Sequence, residues 1–306
     1  MLVRIVSIDR RADRRAELGD FLRSRRARLN PADVGLPDYG GRRRVPGLRR
    51  EELALVAGVS VDHYVRLEQG RTLQFSEEVL DAVARALQLD PTERRHLYRL
   101  VRPAAPQVYQ GTGESEPQQV RPGLRRLLES TTDVPAYVVG LGTDVLAWNQ
   151  PAAALLTDFG CRAPHERNLG WLVCHDEGFR ALFADPLAKM ADIAAYVRFD
   201  IGRHPDDPAL GALVAELCRN PEFAEVWARH DVRDKTHGSY TYRNPVVGEI
   251  TLDYETFRAP DDPDQALIMQ TVPEGSPAEA ALHLLVAADA PTAARGRRLG
   301  SWMTMS

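Results

Sequence analysis

Residues 49–71 read RREELALVAGVSVDHYVRLEQGR, and this stretch decides how the first third of the chain folds. Two short helices that cross at a steep angle need a small residue where their backbones meet, and Ala54 supplies it. The turn between them needs a residue tolerant of positive φ, and Gly58 stands four positions later. Leu53, Ala57, Val59, Tyr64 and Leu67 fall where side chains must pack inward. Ser60 is placed to cap the second helix and Gly70 to end it. Each feature is common alone. In register, they specify helices over 49–57 and 60–69 joined by a tight turn.

The pattern extends in both directions. Upstream, Leu18, Phe21, Leu22 and Leu29 recur at helical spacing from Glu17 until Asn30 and Pro31 stop them. Residues 31–48 are rich in Pro and Gly and carry Arg42, Arg43 and Arg44 in a loop. Downstream, Ser76 opens a helix to 87, and Asp90 with Pro91 opens another to 100. The expected first domain is a five-helix, all-α unit over 17–101, after a flexible, charged lead-in at 1–16.

Charge singles out the same region. Residues 1–105 hold 21 arginines, no lysine and 15 acidic residues, a net +6 in a chain of net −4, so the remainder carries −10. Such a split suits a first domain that meets a polyanion, although uneven surface charge reads the same. In a helix-turn-helix the second helix enters the major groove of DNA. Its outward positions are Ser60, Val61, Asp62, His63, Val65, Arg66 and Gln69. Arg66 suits bidentate contact with guanine and Val61 a thymine methyl, while Asp62 either orients an arginine or accepts from cytosine. Arg49, Arg50, Arg71 and the run Arg42, Arg43, Arg44 suit phosphates, which set register without reading sequence. Tyr64 reads as packing and Glu68 as an internal partner, because a carboxylate facing phosphate is repelled.

Residues 102–120 have the Pro- and Gly-rich composition of a linker. Beyond it, the patterns predict a helix at 122–130 and a hairpin of strands 136–141 and 144–148 turning at Gly142 and Thr143. Helices follow at 150–158, 176–184, 186–203, 207–219 and 221–230, then strands at 238–243, 248–257 and 265–272 and a helix at 276–288. This is a second, α+β domain over 121–290 with an antiparallel sheet, followed by a tail at 291–306, in a multidomain chain.

Other function classes find little support. Three cysteines, with no CxxC pair, argue against a disulfide framework and fit a reducing cytoplasm. Cys161, Cys174 and His175 match no zinc spacing, so no metal is expected. The first residues lack the apolar core of a secretion signal, and no run is long enough to span a membrane, so a cytoplasmic location is expected. His175 with Asp176, His230 with Asp231, and the acidic run Asp261, Asp262 and Asp264 invite acid–base chemistry. No nucleophile elbow, HExxH or phosphate loop accompanies them. The chain is read as a non-enzyme without a cofactor, a modifying enzyme fused to a DNA-binding domain being the remote alternative.

Two resemblances sharpen the expectation. PGLRREELALVAGVS (46–60) and YVRLEQGR (64–71) resemble the Xre-type helix-turn-helix domain of bacterial regulators. The phrases VPAYVVGLGTDVLAWNQPAAAL, GRHPDDPALGALVAEL, EFAEVWARHDVRDK, VGEITLDYETF and PDDPDQALIMQTVPEGSPAEAAL resemble the MmyB-like regulator ligand-binding domain, over 120–288. That resemblance implies a PAS-like sheet with helical insertions, a homodimer, and an apolar pocket for a fatty-acid-like molecule. A two-fold dimer implies double-stranded DNA carrying an inverted repeat. Walls for such a pocket are Tyr137, Val139, Leu146, Trp148, Trp171, Phe179, Phe183, Tyr196 and Trp227, each of which serves equally as ordinary core. Arg198 or Arg233 suits a carboxylate head group. The alternative for this domain is docking of a protein partner instead of a metabolite.

Overall fold

The structure, a computed structural model, describes residues 10–37, 47–71, 74–102, 118–259 and 262–298. They form two compact units. Five helices build the first: α1 (Arg10–Arg28), α2 (Arg50–Ala57), α3 (Val61–Glu68), α4 (Glu77–Ala86) and α5 (Pro91–Val101). The expected capping chemistry sets their ends. Gly58 ends α2 at φ 67°, the Ser60 hydroxyl accepts from the His63 N–H at 3.2 Å, and Asp90 accepts from the N–H groups of Thr92 and Glu93 at 2.7 and 2.8 Å. Leu53 and Leu67 are buried; Ala57 and Val59 pack against the core from partly buried positions.

Helix α1 starts at Arg10, ahead of the start read at Glu17. The apolar stripe begins only with Leu18, but Arg10, Arg11, Ala12, Arg14, Arg15 and Ala16 are good helix formers uninterrupted by Gly or Pro. Periodicity marks where a helix packs, not where it starts.

The first unit also takes in residues 198–211 and 227–234, which the contiguous domain reading assigned to the second domain. Phe199 and Val232 belong to the same core as Phe21, Leu97 and Leu100. The buried Arg198 donates from Nε to Glu17 at 2.9 Å and from its Nη groups to the Trp227 carbonyl, with its guanidinium 3.7 Å from the Trp227 ring centre. A Cβ on Gly202 would run into the His96 ring. Contacts between residues so distant in sequence leave no periodic trace.

The second unit holds α6 (Pro122–Ser130), β1 (Ala136–Val139), β2 (Val145–Trp148), α7 (Gln150–Leu155), α8 (Leu169–His175) and α9 (Glu177–Ala181). In chain order come helices α10 (Pro186–Arg203), α11 (Pro208–Leu217) and α12 (Pro221–Trp227), whose residues 198–203, 208–211 and 227 belong to the first unit, then, in the second, β3 (His237–Asn244), β4 (Gly248–Ala259), β5 (Asp262–Thr271) and α13 (Pro277–Arg298). The strands form one antiparallel sheet in the order β2-β1-β5-β4-β3. Helix α8, capped by Asn168, is too short for a periodic signal and went unpredicted. Helix α13 runs ten residues past the predicted end, into the predicted tail.

Register divides the sheet into two faces. Tyr137 lies opposite Trp148 and Ile268, Tyr240 opposite Leu252, and Tyr254 opposite Gln270, so these side chains share one face. The other face carries Ala136, Val138, Ala147 and Leu267, packed with Leu128 of α6. An irregularity after Val138 sets Val145 opposite Val139 and leaves Leu146 with the α6 cluster.

Candidate DNA-reading surface and ligand-domain interior

Helix α3 is held by its buried side. Glu68 is 0% exposed and accepts from Arg26 Nε at 3.0 Å, Arg50 Nε at 2.8 Å and the Tyr64 hydroxyl at 2.9 Å. Burial by itself raises the Glu68 carboxyl, but Arg26, Arg50 and Tyr64 outweigh it and hold its pKa below the usual carboxylate range. The ion partners come from α1 and α2, so this one carboxylate fixes the angle of α3 against both. Gly70, at φ 59°, completes the seat; a Cβ there would stand 2.7 Å from Arg15 Cβ.

With that side buried, the opposite side faces out. Ser60, Val61, Asp62, His63, Arg66 and Gln69 are exposed, as are Arg49 and Arg71 beside them. Arg66 and Asp62 form an i,i+4 ion pair at 2.8 Å, with both side chains more than half exposed. Such a pair contributes only about 0.3–0.5 kcal/mol and yields readily to a base edge or phosphate. His63 leans on Phe75 at 5.2 Å between ring centres. Arg50 is committed to Glu68 through Nε and Nη2, which makes it a structural residue as much as a phosphate contact. Arg42, Arg43 and Arg44 lie outside the described residues.

In the second unit, the face of the sheet carrying Tyr240 meets α9 and α10 through aromatic rings. Phe183 meets Phe179, Tyr242 and Tyr240 at 5.5, 5.3 and 5.9 Å between centres, and Tyr240 stacks on Tyr254 at 5.1 Å. The Tyr196 and Tyr254 hydroxyls meet at 3.2 Å. Two ammonium groups enter this aromatic cluster. Lys189 Nζ sits 4.0 Å from the Tyr240 ring centre, and Lys235 Nζ sits 4.9, 5.5 and 5.9 Å from those of Tyr254, Tyr196 and Tyr240. Asp192 accepts from the Tyr240 hydroxyl at 3.1 Å. Burial lowers the Lys189 ammonium to about 8 against the pull of Asp192. Burial and the neighbouring Lys189 push the Lys235 ammonium well below its ordinary range.

The structure therefore gathers Tyr137, Phe179, Phe183 and Tyr196 with this cluster, and register places Val139 and Trp148 on the same sheet face. It separates others of the predicted walls. Leu146 packs on the opposite face because of the register shift. Trp171 stacks instead on His175, 5.1 Å away, with His165 at its edge. Trp227 and Arg198 lie in the first unit, and Arg198 has already spent its donors on Glu17 and Trp227. Arg233, also in the first unit, is exposed. Neither arginine stands with the aromatic cluster. Periodicity missed Lys189, Asp192, Lys235, Tyr240, Tyr242 and Tyr254. A signal was present: Lys189, Asp192 and Tyr196 fall at i, i+3 and i+7, and Tyr240 and Tyr242 alternate along a strand.

The His–Asp pairs carry ordinary structural duties. Asp176 pairs with Arg162 at 2.7 Å and caps α9, while Asp231 pairs with Arg28. Among the described residues, no three His, Cys, Asp or Glu side chains are grouped to hold a metal ion, and no helix is long and apolar enough to cross a membrane.

Comparison with known proteins places both halves. Residues 17–97 match a helix-turn-helix domain family, and residues 120–285 match the MmyB-like transcription regulator ligand binding domain. No curated protein matches the chain. The second match spans more than half of the 306 residues and the first adds the DNA-binding part. With α3 presented outward on one unit and a ligand-binding domain following in the chain, this chain belongs to the MmyB-like transcription regulators, DNA-binding proteins that carry a ligand-binding domain.

Proposed function

We propose that this regulator binds an inverted-repeat operator as a homodimer, and that a small apolar, fatty-acid-like ligand in its PAS-like second domain alters its affinity for DNA. The observation that carries this reading is the coexistence of an outward-facing α3 with the aromatic interior between the sheet and α9–α10. Rings from Tyr137, Phe179, Phe183 and Tyr196 offer apolar wall, with polar groups at few points, as small-molecule sites do. For the dimer, the outer sheet face offers a groove of about 390 Å³ beside Leu127 and Phe257, which are 55% and 56% exposed. A second copy would cover them. Catalysis has no part in this reading.

The DNA half is tested by binding at several salt concentrations. Arg66→Ala removes about 1–3 kcal/mol of discrimination at one base pair, whereas Arg71→Ala weakens all sequences alike and lowers the salt slope by about one. Equal operator affinity for wild type and both variants overturns the assignment. Native mass spectrometry of the purified protein tests the ligand half, with an acyl species expected; its absence favours the protein-docking alternative. Sedimentation that gives only monomer, with and without operator, removes the dimer.

A further inference from the structure

The 306 residues contain 37 arginines and two lysines, and the two lysines are Lys189 and Lys235. Both are buried, and both point at the ring of Tyr240 from different elements, one from α10 and one from the segment leading into β3. A chain that uses arginine everywhere else for positive charge places its two lysines together inside an aromatic cluster. We propose that Lys189 and Lys235 form an anion-binding subsite that takes the carboxylate head of the acyl ligand. This deepens the ligand reading above and rests on it.

The first argument is charge. Two ammonium groups are buried here and one carboxylate, Asp192, acts on both. Asp192 also accepts from Tyr240. A buried charge needs a partner, and aromatic faces compensate only in part. One further monoanion balances the cluster. The second argument is polar satisfaction. The Thr256 N–H donates to the Thr236 carbonyl at 2.7 Å, one residue from Lys235, and the Thr256 hydroxyl on the Tyr254 side of β4 is buried without a hydrogen-bond partner. It is a donor with nothing to donate to, on the sheet face that carries Tyr254, the ring nearest the Lys235 ammonium.

The third argument is the choice of lysine. A guanidinium keeps its charge under all conditions, whereas a buried ammonium sheds its proton. Lys235 is faced by Lys189, Asp192 and Tyr196 of α10, Tyr240 of β3, and Tyr254 and Arg258 of β4. Burial, Lys189 and Arg258 all favour its neutral form, and only Asp192 opposes them. A carboxylate arriving here joins Asp192 in favouring the charged form of Lys235. A chain-only apolar pocket has no such response.

The full-length protein is titrated calorimetrically with dodecanoate, methyl dodecanoate and propionate, in buffers of different ionisation enthalpy. Dodecanoate is expected to bind about tenfold tighter than its ester, with more proton uptake than the ester shows. Lys235→Met and Lys189→Met are expected to bring acid and ester within about twofold of each other. Each variant melts no lower than wild type in the absence of ligand, since an apolar side chain of similar length replaces a buried amine. Acid and ester binding alike overturns the subsite while leaving the acyl reading intact. Propionate binding to wild type but not to Lys235→Met, with neither long-chain probe bound, supports the subsite and overturns the acyl reading. Failure of both acids to bind overturns the subsite, as does acid preference that survives in both variants.

Discussion

The two units of this chain treat a buried positive charge differently. In the first, three arginines meet fixed oxygen: Arg26 and Arg50 converge on Glu68, and Arg198 reaches both Glu17 and the Trp227 carbonyl. In the second, Lys189 and Lys235 meet mainly aromatic faces and share Asp192. A fully paired cluster sets geometry, because removing any member leaves charge unbalanced. An underpaired cluster sets no geometry of its own and gains from an added anion. The contrast separates the part of the protein that must hold α3 still from the part that must respond.

The sharpest way to break the comparison is Glu68→Ala. It strands Arg26 and Arg50 and is expected to cost about 3–5 kcal/mol in urea unfolding, with loss of operator binding. A cost near zero would show that the first cluster is no more structural than the lysine pair.

Acid unfolding probes the same unit through His96. Its imidazole is fully buried, burial holds it down at about 3, and both ring nitrogens lack hydrogen-bond partners among the described residues. The folded pKa lies below the unfolded value of 6.5, so stability is complete above that pH and falls as pH drops toward 3. Glu17 adds a second step. Burial raises its carboxyl, but His230 and Arg198 outweigh burial and hold it at about 2, so its contribution is lost only as pH falls below about 4.5. From 6.5 to 4.5, then, His96 contributes a slope of about 1.4 kcal/mol per pH unit. His96→Leu should remove that slope; if the slope survives, the imidazole is not held neutral by the fold.

The smallest effect belongs to the exposed surface. Asp62→Ala breaks the ion pair with Arg66 and should change stability by no more than about 0.5 kcal/mol. It frees a guanidinium on the outward side of α3, so operator affinity should rise, as a gel-shift titration would read. A fall in affinity would give Asp62 a direct base contact.

Local chemistry made the first unit legible. Ala54, Gly58, Ser60, Ser76 and Asp90 act on backbone within a few residues of themselves, and the four helices α2–α5 begin or end near where those residues place them. Glu68 was readable as an internal partner for the same reason: it sits on the buried side of a short helix. The interior of the second unit was not legible in that way. Tyr137 and Tyr196, two of the expected walls, join the aromatic cluster, whereas Leu146, another, packs on the opposite face, since one register shift redirects a strand's side chains. Arg198 was assigned to a head group when Glu17, 181 positions away, already holds it.

The sequence alone determined a helix-turn-helix, an antiparallel α+β domain following it in the chain, and the residues on the outward side of α3. Those follow from spacing and capping, which operate within one element. Only the tertiary structure decided that Phe199 and Val232 complete the core of the first unit, that Arg26 reaches Glu68, and that Lys189 and Lys235 share one aromatic cluster. These are contacts between residues tens to hundreds of positions apart, and helical or strand periodicity carries no information about which distant face will meet which.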